Sequence, residues 1–315
     1  MWKLITRRIL AALLTISLLT VFVFSLLYLV PGDPGERILQ ARMNGELPSS
    51  RDVIEVLKHD MELDVPPHIL YLNWAKGIFQ GDLGYSYITR RPAATILHES
   101  LRATAELVSV SMLIVVFFGL SLGMIAAWKE DSRIDDFLSY FAILGISIPS
   151  YVTAFVAILI FAVSLKILPV AGRSGILSML MPSIALSIGG IAMLMRMTRY
   201  NMLEEKRQDY VLTARARGLS EGRIFVGHIF RNTLPPLITY IGLELGGLFS
   251  GAIIVENIFA WPGIGRLLVD SVQSGDVPLV QACVLAIGVI FICTNIVVDI
   301  LYTCIDPRIK PEGVL

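Results

Sequence analysis

Long stretches without a charged residue constrain this chain more than any other feature of its sequence. Each is at or above the roughly 18–20 apolar residues that cross a bilayer as a helix. The five uninterrupted stretches are Ile9–Val30, Leu107–Trp128, Phe137–Leu165, Ser174–Met195 and Val277–Val298. A sixth, Thr233–Asn257, is interrupted only by Glu244 and Glu256. The sequence therefore predicts an all-α integral membrane protein with six transmembrane helices.

Composition agrees with a membrane protein and excludes other classes. Charged residues make up 17% of the chain, whereas soluble domains carry about 25%. Lys and Arg balance Asp and Glu at 26 each, so the chain lacks the basic surface that a nucleic-acid partner requires. The three cysteines, Cys283, Cys293 and Cys304, lie in or just after the last apolar stretch. We interpret them as small apolar helix residues, since they do not form a secreted-type disulfide framework.

The distribution of positive charge predicts the orientation in the membrane. With the N-terminus inside, fifteen Lys and Arg fall in cytoplasmic segments and three in the short outer loops. The eight between Arg37 and Arg102 lie in a loop of the length that crosses the membrane largely regardless of charge. The first apolar stretch is too long for a signal peptide and ends in Pro31-Gly-Asp-Pro34 rather than in a cleavage site. We therefore expect an uncleaved first span and two cytoplasmic termini.

These assignments divide the chain into four segments. Residues 1–30 form the cytoplasmic N-terminus and transmembrane helix 1, and residues 31–100 a long extracytoplasmic loop with short helices. Residues 101–303 form the core with transmembrane helices 2–6, and residues 304–315 a cytoplasmic tail. Within the outer loop, apolar periodicity predicts an amphipathic helix over Arg51–Leu63, a break at Pro66-Pro67, and a second helix from Ile69 to about Phe79. We expect this loop to act as a lid or docking surface.

The inner loop, residues 199–232 between transmembrane helices 4 and 5, carries the most informative pattern. Small residues at Thr213, Ala214 and Ala216 allow a partner's backbone to approach closely. Gly218 can adopt the positive φ that ends one helix and redirects the chain into another. The pattern predicts a helix, a turn and a second helix that dock a partner. A basic loop that only fixes the topology is the alternative.

Several separated motifs, in the right order, resemble a known family. They are Tyr210-Val-Leu-Thr-Ala-Arg-Ala-Arg-Gly218, Arg231-Asn-Thr-Leu-Pro-Pro236, Leu29-Val-Pro-Gly-Asp-Pro34, Gly81-Asp-Leu-Gly84, Val255-Glu-Asn-Ile-Phe-Ala-Trp-Pro-Gly-Ile-Gly-Arg266 and Asp306-Pro-Arg308. The first resembles the coupling loop of ABC importer permeases, and the set is similar to the dipeptide, oligopeptide and nickel branch. Two positions depart from the family pattern: Leu212 stands where the general motif has glutamate, and Glu244 where glutamine is expected.

The resemblance implies a transport subunit rather than an enzyme. It implies a second homologous permease, a pathway between the two permeases for di- or oligopeptides or for nickel, free or chelated, two ATPase subunits on the cytoplasmic side and an extracytoplasmic binding protein. The localisation implied is the cytoplasmic membrane of a bacterium or archaeon. Because the chain has no G-x-x-x-x-G-K-[ST] phosphate loop, we expect ATP and Mg²⁺ to bind to the partners, with no catalytic, cofactor or metal residue here.

Individual residues follow from this hypothesis. The ATPase-coupling residues would be Tyr210, Thr213, Ala214, Ala216 and Gly218. Glu244 lies about 15 Å along its span, near mid-membrane, where a carboxylate costs about 3 kcal/mol. We expect Glu244 in the translocation pathway, the alternative being a pair made for assembly. Asp299, near the inner end of the last span, is expected to form a structural ion pair with an arginine of the inner loop.

Glycine and histidine positions leave further questions open. The pair Gly119 and Gly123 has the spacing that permits close helix contact, within the chain or between permeases. His59, His68 and His98 all lie in the outer loop and are too widely separated for a metal site to be the favoured reading.

Two other functions match parts of the sequence. Gly172-Arg-Ser-Gly175 matches the motif of an intramembrane serine protease. The serine of such an enzyme needs a base, and no histidine lies in any predicted span, so we reject this function. A proton-coupled secondary transporter with Glu244 as its relay is the stronger alternative.

Overall fold

The described part of the chain is built from helices joined by turns and loops, with an isolated β-bridge between Tyr85 and Pro92. The computed structural model describes residues 2–29, 33, 36, 39, 51–60 and 65–305, with the side chains of 2–9, 11–12, 26–29, 57, 60 and 297–305 excluded. By Cα proximity it forms two compact units. The first comprises Met1–Thr104 and Pro262–Cys293, and the second Ala105–Trp261 and Thr294–Leu315. The four segments predicted from the sequence stay a prediction, as does the ion pair of Asp299, whose side chain lies outside the described residues.

The helices are bounded as follows. The N-terminal and outer-loop helices are α1 (Trp2–Leu29), α2 (Arg51–Asp60) and α3 (Pro67–Phe79). The next are α4 (Ala93–Trp128), α5 (Arg133–Ser147) and α6 (Ser150–Ala157), which continues as a π-helix to Ser164. Then come α7 (Ile176–Lys206), α8 (Asp209–Ala216), α9 (Glu221–Ile224), a π-helical turn (Phe225–Phe230), α10 (Arg231–Ile258), α11 (Ile264–Ser274) and α12 (Val277–Ile305). Both helices expected in the outer loop are present, with the break at Pro66.

Four described helices are long and apolar enough to cross a membrane. They are Ala93–Trp128, Ile176–Lys206, Glu221–Ile258 and Val277–Ile296. Helices α5 and α6 together make a fifth if they count as one span. In α1 the apolar helix found among the described residues, Leu13–Ser25, is shorter than a span. The structure thus supports four or five of the six expected spans, and the count of six is not established.

The third expected span is not the straight helix that its apolar run predicts. Helices α5 and α6 are bent by 105° at the break between Ser147 and Ser150. The cause is local: α5 ends where Ile148 takes an extended conformation, with φ −92° and ψ 118°, immediately before Pro149. A residue before proline is driven out of the helical region by the proline ring, and Pro149 cannot donate a backbone hydrogen bond. Hydrophobicity alone did not reveal this break.

The first unit is held together by an aromatic cluster and a buried carboxylate. Phe24 of α1 packs edge-on against Tyr71 of α3, with ring centroids 5.4 Å apart, and Trp74 lies alongside. Asp276, 1% exposed, accepts hydrogen bonds from the Ser86 hydroxyl at 2.5 Å and the Tyr87 amide at 3.1 Å. The aromatic contacts join α1 to α3, and the Asp276 hydrogen bonds join the segment at Ser86 and Tyr87 to the residue just before α12.

The second unit is built around α7. Helices α5, α6 and α10 all pack against it. The side of α7 that faces α4 is held by serine hydroxyls bonded to the backbone of the neighbouring helix: Ser187 donates to the Ser111 carbonyl at 3.0 Å. In a bilayer such bonds satisfy polar groups that lipid cannot.

The two glycines of α4 explain how closely it approaches α7. A Cβ atom added to Gly119 would lie 2.8 Å from the Leu194 side chain, and one added to Gly123 would lie 2.5 Å from Thr198 Cβ. Neither contact is tolerable for real side chains. The spacing of these glycines is therefore used for packing within the chain.

Candidate functional site

The inner loop forms a short helix that reverses into the next span. Helix α8 ends at Ala216, and Gly218 follows with a φ of +79°. The Gly218 amide donates to the Arg215 carbonyl at 2.9 Å, and the Leu219 amide to the Ala214 carbonyl at 3.3 Å, which closes the turn in the manner of a glycine helix terminus. The expected second helix begins at Glu221, but it is not a separate short helix. It continues through the π-helical turn into α10, so the loop leads directly into a candidate span over Glu221–Ile258.

The inner face of α8 is packed against the chain itself. Val211 and Ala214 are buried in a cluster with Met202, Ile224 and Phe225. Ala214, expected to admit a partner, instead faces the core of its own unit. The small side chain lets α8 lie close to the helices beneath it.

Tyr210 anchors the start of α8. Its side chain is half-buried, and its hydroxyl donates to Glu205 Oε2 at 2.7 Å. Burial, with a further contribution from the Glu205 carboxylate, raises the pKa of Tyr210 to about 12. The phenol therefore stays protonated and holds this bond at physiological pH.

The outer face of α8 remains exposed. Thr213, Ala216 and Gly218 are all exposed, and Leu212 is 61% exposed. An Arg215–Glu221 ion pair, with nitrogen–oxygen distances of 2.8 and 3.2 Å, spans the turn. This exposed surface is made of apolar and small residues and is rimmed by charge.

Two ion pairs fix the helix that leads into the loop. Asp135, with a side chain 3% exposed, accepts from both ends of the Arg199 guanidinium at 2.5 and 2.7 Å. Lys206 pairs with Glu130 at 2.7 Å. Arg199 is thus an inner-loop arginine that holds a buried carboxylate. Asp135 lies at the polar start of an apolar run, so its position in the sequence does not reveal this ion pair.

A second site lies inside the helical core of the second unit. A cavity of about 340 Å³ is walled by the α5–α6 bend, α7 and α10, and it is partly open to the surface. Glu244 and Tyr240 line it, with Ser150 and Thr153 at the bend. Its volume falls within the roughly 300–1,000 Å³ typical of small-molecule sites.

Glu244 is held in this cavity by two features of the fold. The Tyr240 hydroxyl, one helical turn earlier, donates to Glu244 Oε2 at 2.7 Å. Gly190 of α7 lies directly against the carboxylate, so that a side chain at this position would collide with Glu244 Oε1. The i,i+4 spacing of Tyr240 and Glu244 was visible in the sequence, whereas the approach of Gly190 was not.

The described residues hold no metal-binding cluster. No group of three or more His, Cys, Asp or Glu side chains within them is arranged to hold a metal ion. The histidines of the outer loop accordingly form no such site in this part of the chain.

Comparison with known proteins places these features in one family. The chain matches the model for "Binding-protein-dependent transport system inner membrane component" over residues 119–311 and the N-terminal model of the same kind over residues 1–108. It is 37% identical to the glutathione transport system permease protein GsiC of Escherichia coli O6:H1 (strain CFT073) over 308 residues, covering 97% of this chain and 98% of the relative. It is 35% identical to the protein of that name from Salmonella typhimurium (strain LT2), again covering 97% and 98%.

Solved structures agree on the fold. Inward-facing MetNI methionine ABC transporter matches with a TM-score of 0.57 and 18% identity, over 67% of this chain and 96% of that one. An amino acid ABC transporter with histidines matches with a TM-score of 0.51 and 15% identity, over 67% and 94%. With both family models and the permease relatives matching along its length, the chain belongs to the binding-protein-dependent transport system inner membrane components, as an ABC importer permease of the dipeptide/oligopeptide family.

Proposed function

We propose that this chain pairs with a second, homologous permease and that the two form the translocation pathway of an ATP-driven importer for small peptides. ATP and Mg²⁺ bind to two separate ATPase subunits, and an extracytoplasmic binding protein delivers the solute. The observation that carries the proposal is the exposed helix-and-turn of the inner loop, set in a chain of this family. Both termini lie in the cytoplasm, as the excess of inner Lys and Arg indicates.

The inner loop transmits force because one of its faces is fixed to this chain and the other contacts the ATPase. Its buried face, with Ala214 and Val211, is fixed to the chain's own helices. Its exposed face, around Leu212, Thr213 and Ala216, docks an ATPase. Since the turn at Gly218 leads without interruption into the helix Glu221–Ile258, a push on the loop moves a whole span. The Asp135–Arg199 pair carries the same movement to α5.

Peptides are the substrate class that the relatives support. The permeases at 37% and 35% identity are named for glutathione, a tripeptide. The nickel alternative has less support, because the relatives cited above are named for glutathione. A proton-coupled carrier is disfavoured by family membership, since permeases of this kind work with separate ATPases.

Purification from the native membrane tests the assembly. A tagged copy of this chain should bring down a second permease and two ATPases, and vesicles containing that complex should take up glutathione only with ATP inside and binding protein outside. Vesicles that contain this chain alone should accumulate nothing. Uptake by the isolated chain would refute the proposal and favour a secondary transporter.

One substitution tests the docking face. Leu212→Asp places a charge on the exposed surface of α8 and should remove the ATPases from the purified complex while the two permeases stay paired. Val272→Asp is the matched control, because Val272 is 60% exposed on α11, which lies on the outer side in the orientation proposed above. Retention of the ATPases by the Leu212 variant would show that they dock elsewhere.

A further inference from the structure

The cavity of the second unit is lined by a single carboxyl side chain. Among the residues that line it, Glu244 is the only Asp, Glu, Lys, Arg or His, and the rest are glycine, apolar residues, Ser150, Thr153 and Tyr240. A carboxylate in an intramembrane cavity is expensive unless a cation or several hydrogen bonds stabilise it. Placing Glu244 in this cavity therefore lowers the stability of the folded chain unless another group compensates for it.

The fold also makes room for this carboxylate. Gly190 has no side chain, and a Cβ at this position would collide with Glu244 Oε1 and lie 2.9 Å from Val115 Cγ2. The bend between α5 and α6 adds Ser150 to the wall of the same space. Three separate elements thus shape a cavity around one acidic group.

The stabilisation supplied by the chain is incomplete. Tyr240 is the one hydrogen-bond donor to Glu244 recorded among the described residues, whereas a carboxylate can accept about four bonds. The recorded ion pairs of these residues do not include Glu244. Among the described residues that line the cavity, none supplies a positively charged donor.

We propose that Glu244 and Tyr240 form a subsite for the ammonium group of the transported peptide. This inference rests on the proposed function and names the chemistry recognised in its pathway. An ammonium offers three donors on one positive centre, and a charge-assisted bond to a carboxylate is roughly twice as strong as a neutral one. The subsite selects peptides with a free amino terminus over those in which it is blocked.

Other cations and a proton relay fit the cavity less well. Hard divalent cations take about six or more oxygen ligands, several of them carboxylates, and only one carboxylate is present. A relay needs further titratable groups in line, and Tyr240 is the only other candidate in the cavity wall. A primary ammonium matches one carboxylate beside neutral oxygens.

Equilibrium binding to the detergent-purified permease pair with its ATPases, without binding protein, tests the subsite directly. The probes are radiolabelled glutathione and N-acetylglutathione, which lacks the ammonium. Wild type should bind glutathione at least about tenfold more tightly, the low end for a charge-assisted bond. Glu244→Gln should abolish that preference, Glu244→Asp should keep part of it, and Asp136→Asn, an exposed site outside the cavity, should match wild type.

Three results would overturn the subsite. They are equal or undetectable binding of the two probes by wild type, a preference that survives in Glu244→Gln, and failure of the Glu244→Gln complex to assemble, which would assign the carboxylate to assembly. ATP-driven glutathione uptake by the complete wild-type system, measured in parallel, distinguishes failure of the subsite from failure of the proposed function. Uptake without a binding preference would refute only the subsite, whereas absence of ATP-driven uptake would refute the proposed function as well.

Discussion

Replacement of Gly123 by alanine should destabilise the contact between α4 and α7, and the distances in the structure indicate the size of the free-energy cost. The added Cβ would lie 2.5 Å from Thr198 Cβ and 2.7 Å from the Met195 carbonyl oxygen. The second atom belongs to the backbone, so no rotamer change can relieve the collision, and the two helices must separate. Overpacking of this kind costs about 1–3 kcal/mol, and two simultaneous contacts this short point to the upper part of that range.

Helix propensity acts in the opposite direction. Alanine is favoured over glycine by about 1 kcal/mol in a helix interior, which leaves a net loss of about 1–2 kcal/mol for Gly123→Ala. At about 2–4 °C for each kcal/mol, the melting temperature should fall by roughly 2–8 °C. Gly227→Ala is the matched control, because nothing lies within 4 Å of its added Cβ. Both variants gain the same helix propensity, so the difference between their melting temperatures measures the steric cost at Gly123.

Thermal stability by fluorescence-detected size-exclusion chromatography, on purified protein in one detergent, gives the comparison. The Gly123 variant should melt below wild type, and the Gly227 variant at or above it. If both variants had the same melting temperature, the inference that α4 packs closely against α7 at Gly123 would be refuted. The Gly119–Gly123 pair would then be free for permease pairing. If the Gly123 variant were stable but failed to pair with the second permease, the pairing alternative would hold.

Three other substitutions test different contacts. Asp135→Asn should lower stability by about 1–3 kcal/mol, less than the full cost of breaking a buried pair because Arg199 is partly exposed, and thermal melting should show no comparable loss for the exposed Asp136→Asn. Tyr210→Phe should flatten the pH profile of stability above pH 10.0: the raised pKa makes the folded state retain the proton, so wild-type stability is present below that pH and falls as the pH rises toward about 12. Gly218→Val should leave the chain in the membrane but stop ATP-driven uptake, since a β-branched residue opposes a φ of +79°; normal uptake would show that the turn is not needed for coupling.

Local sequence signals were enough for several elements. Proline at 66 and 67 and the periodicity around it predicted both outer-loop helices, and the glycine at 218 predicted the turn after α8. These features depend on neighbours in the chain, through backbone restriction and hydrophobic spacing. The same kind of signal was present at Pro149, but the long apolar run around it predicted one span without the break that the structure shows there. Backbone sterics prevailed there over hydrophobicity.

The sequence by itself determined that this is a helical membrane protein of the importer permease family, because apolar runs and short motifs are properties of the chain alone. Only the tertiary structure decided which face of α8 is buried, that Asp135 holds Arg199, and that Gly190 lies against Glu244. The last two join residues 64 and 54 positions apart. Such contacts depend on how helices pack at their point of closest approach, and neither periodicity nor composition records which helices meet.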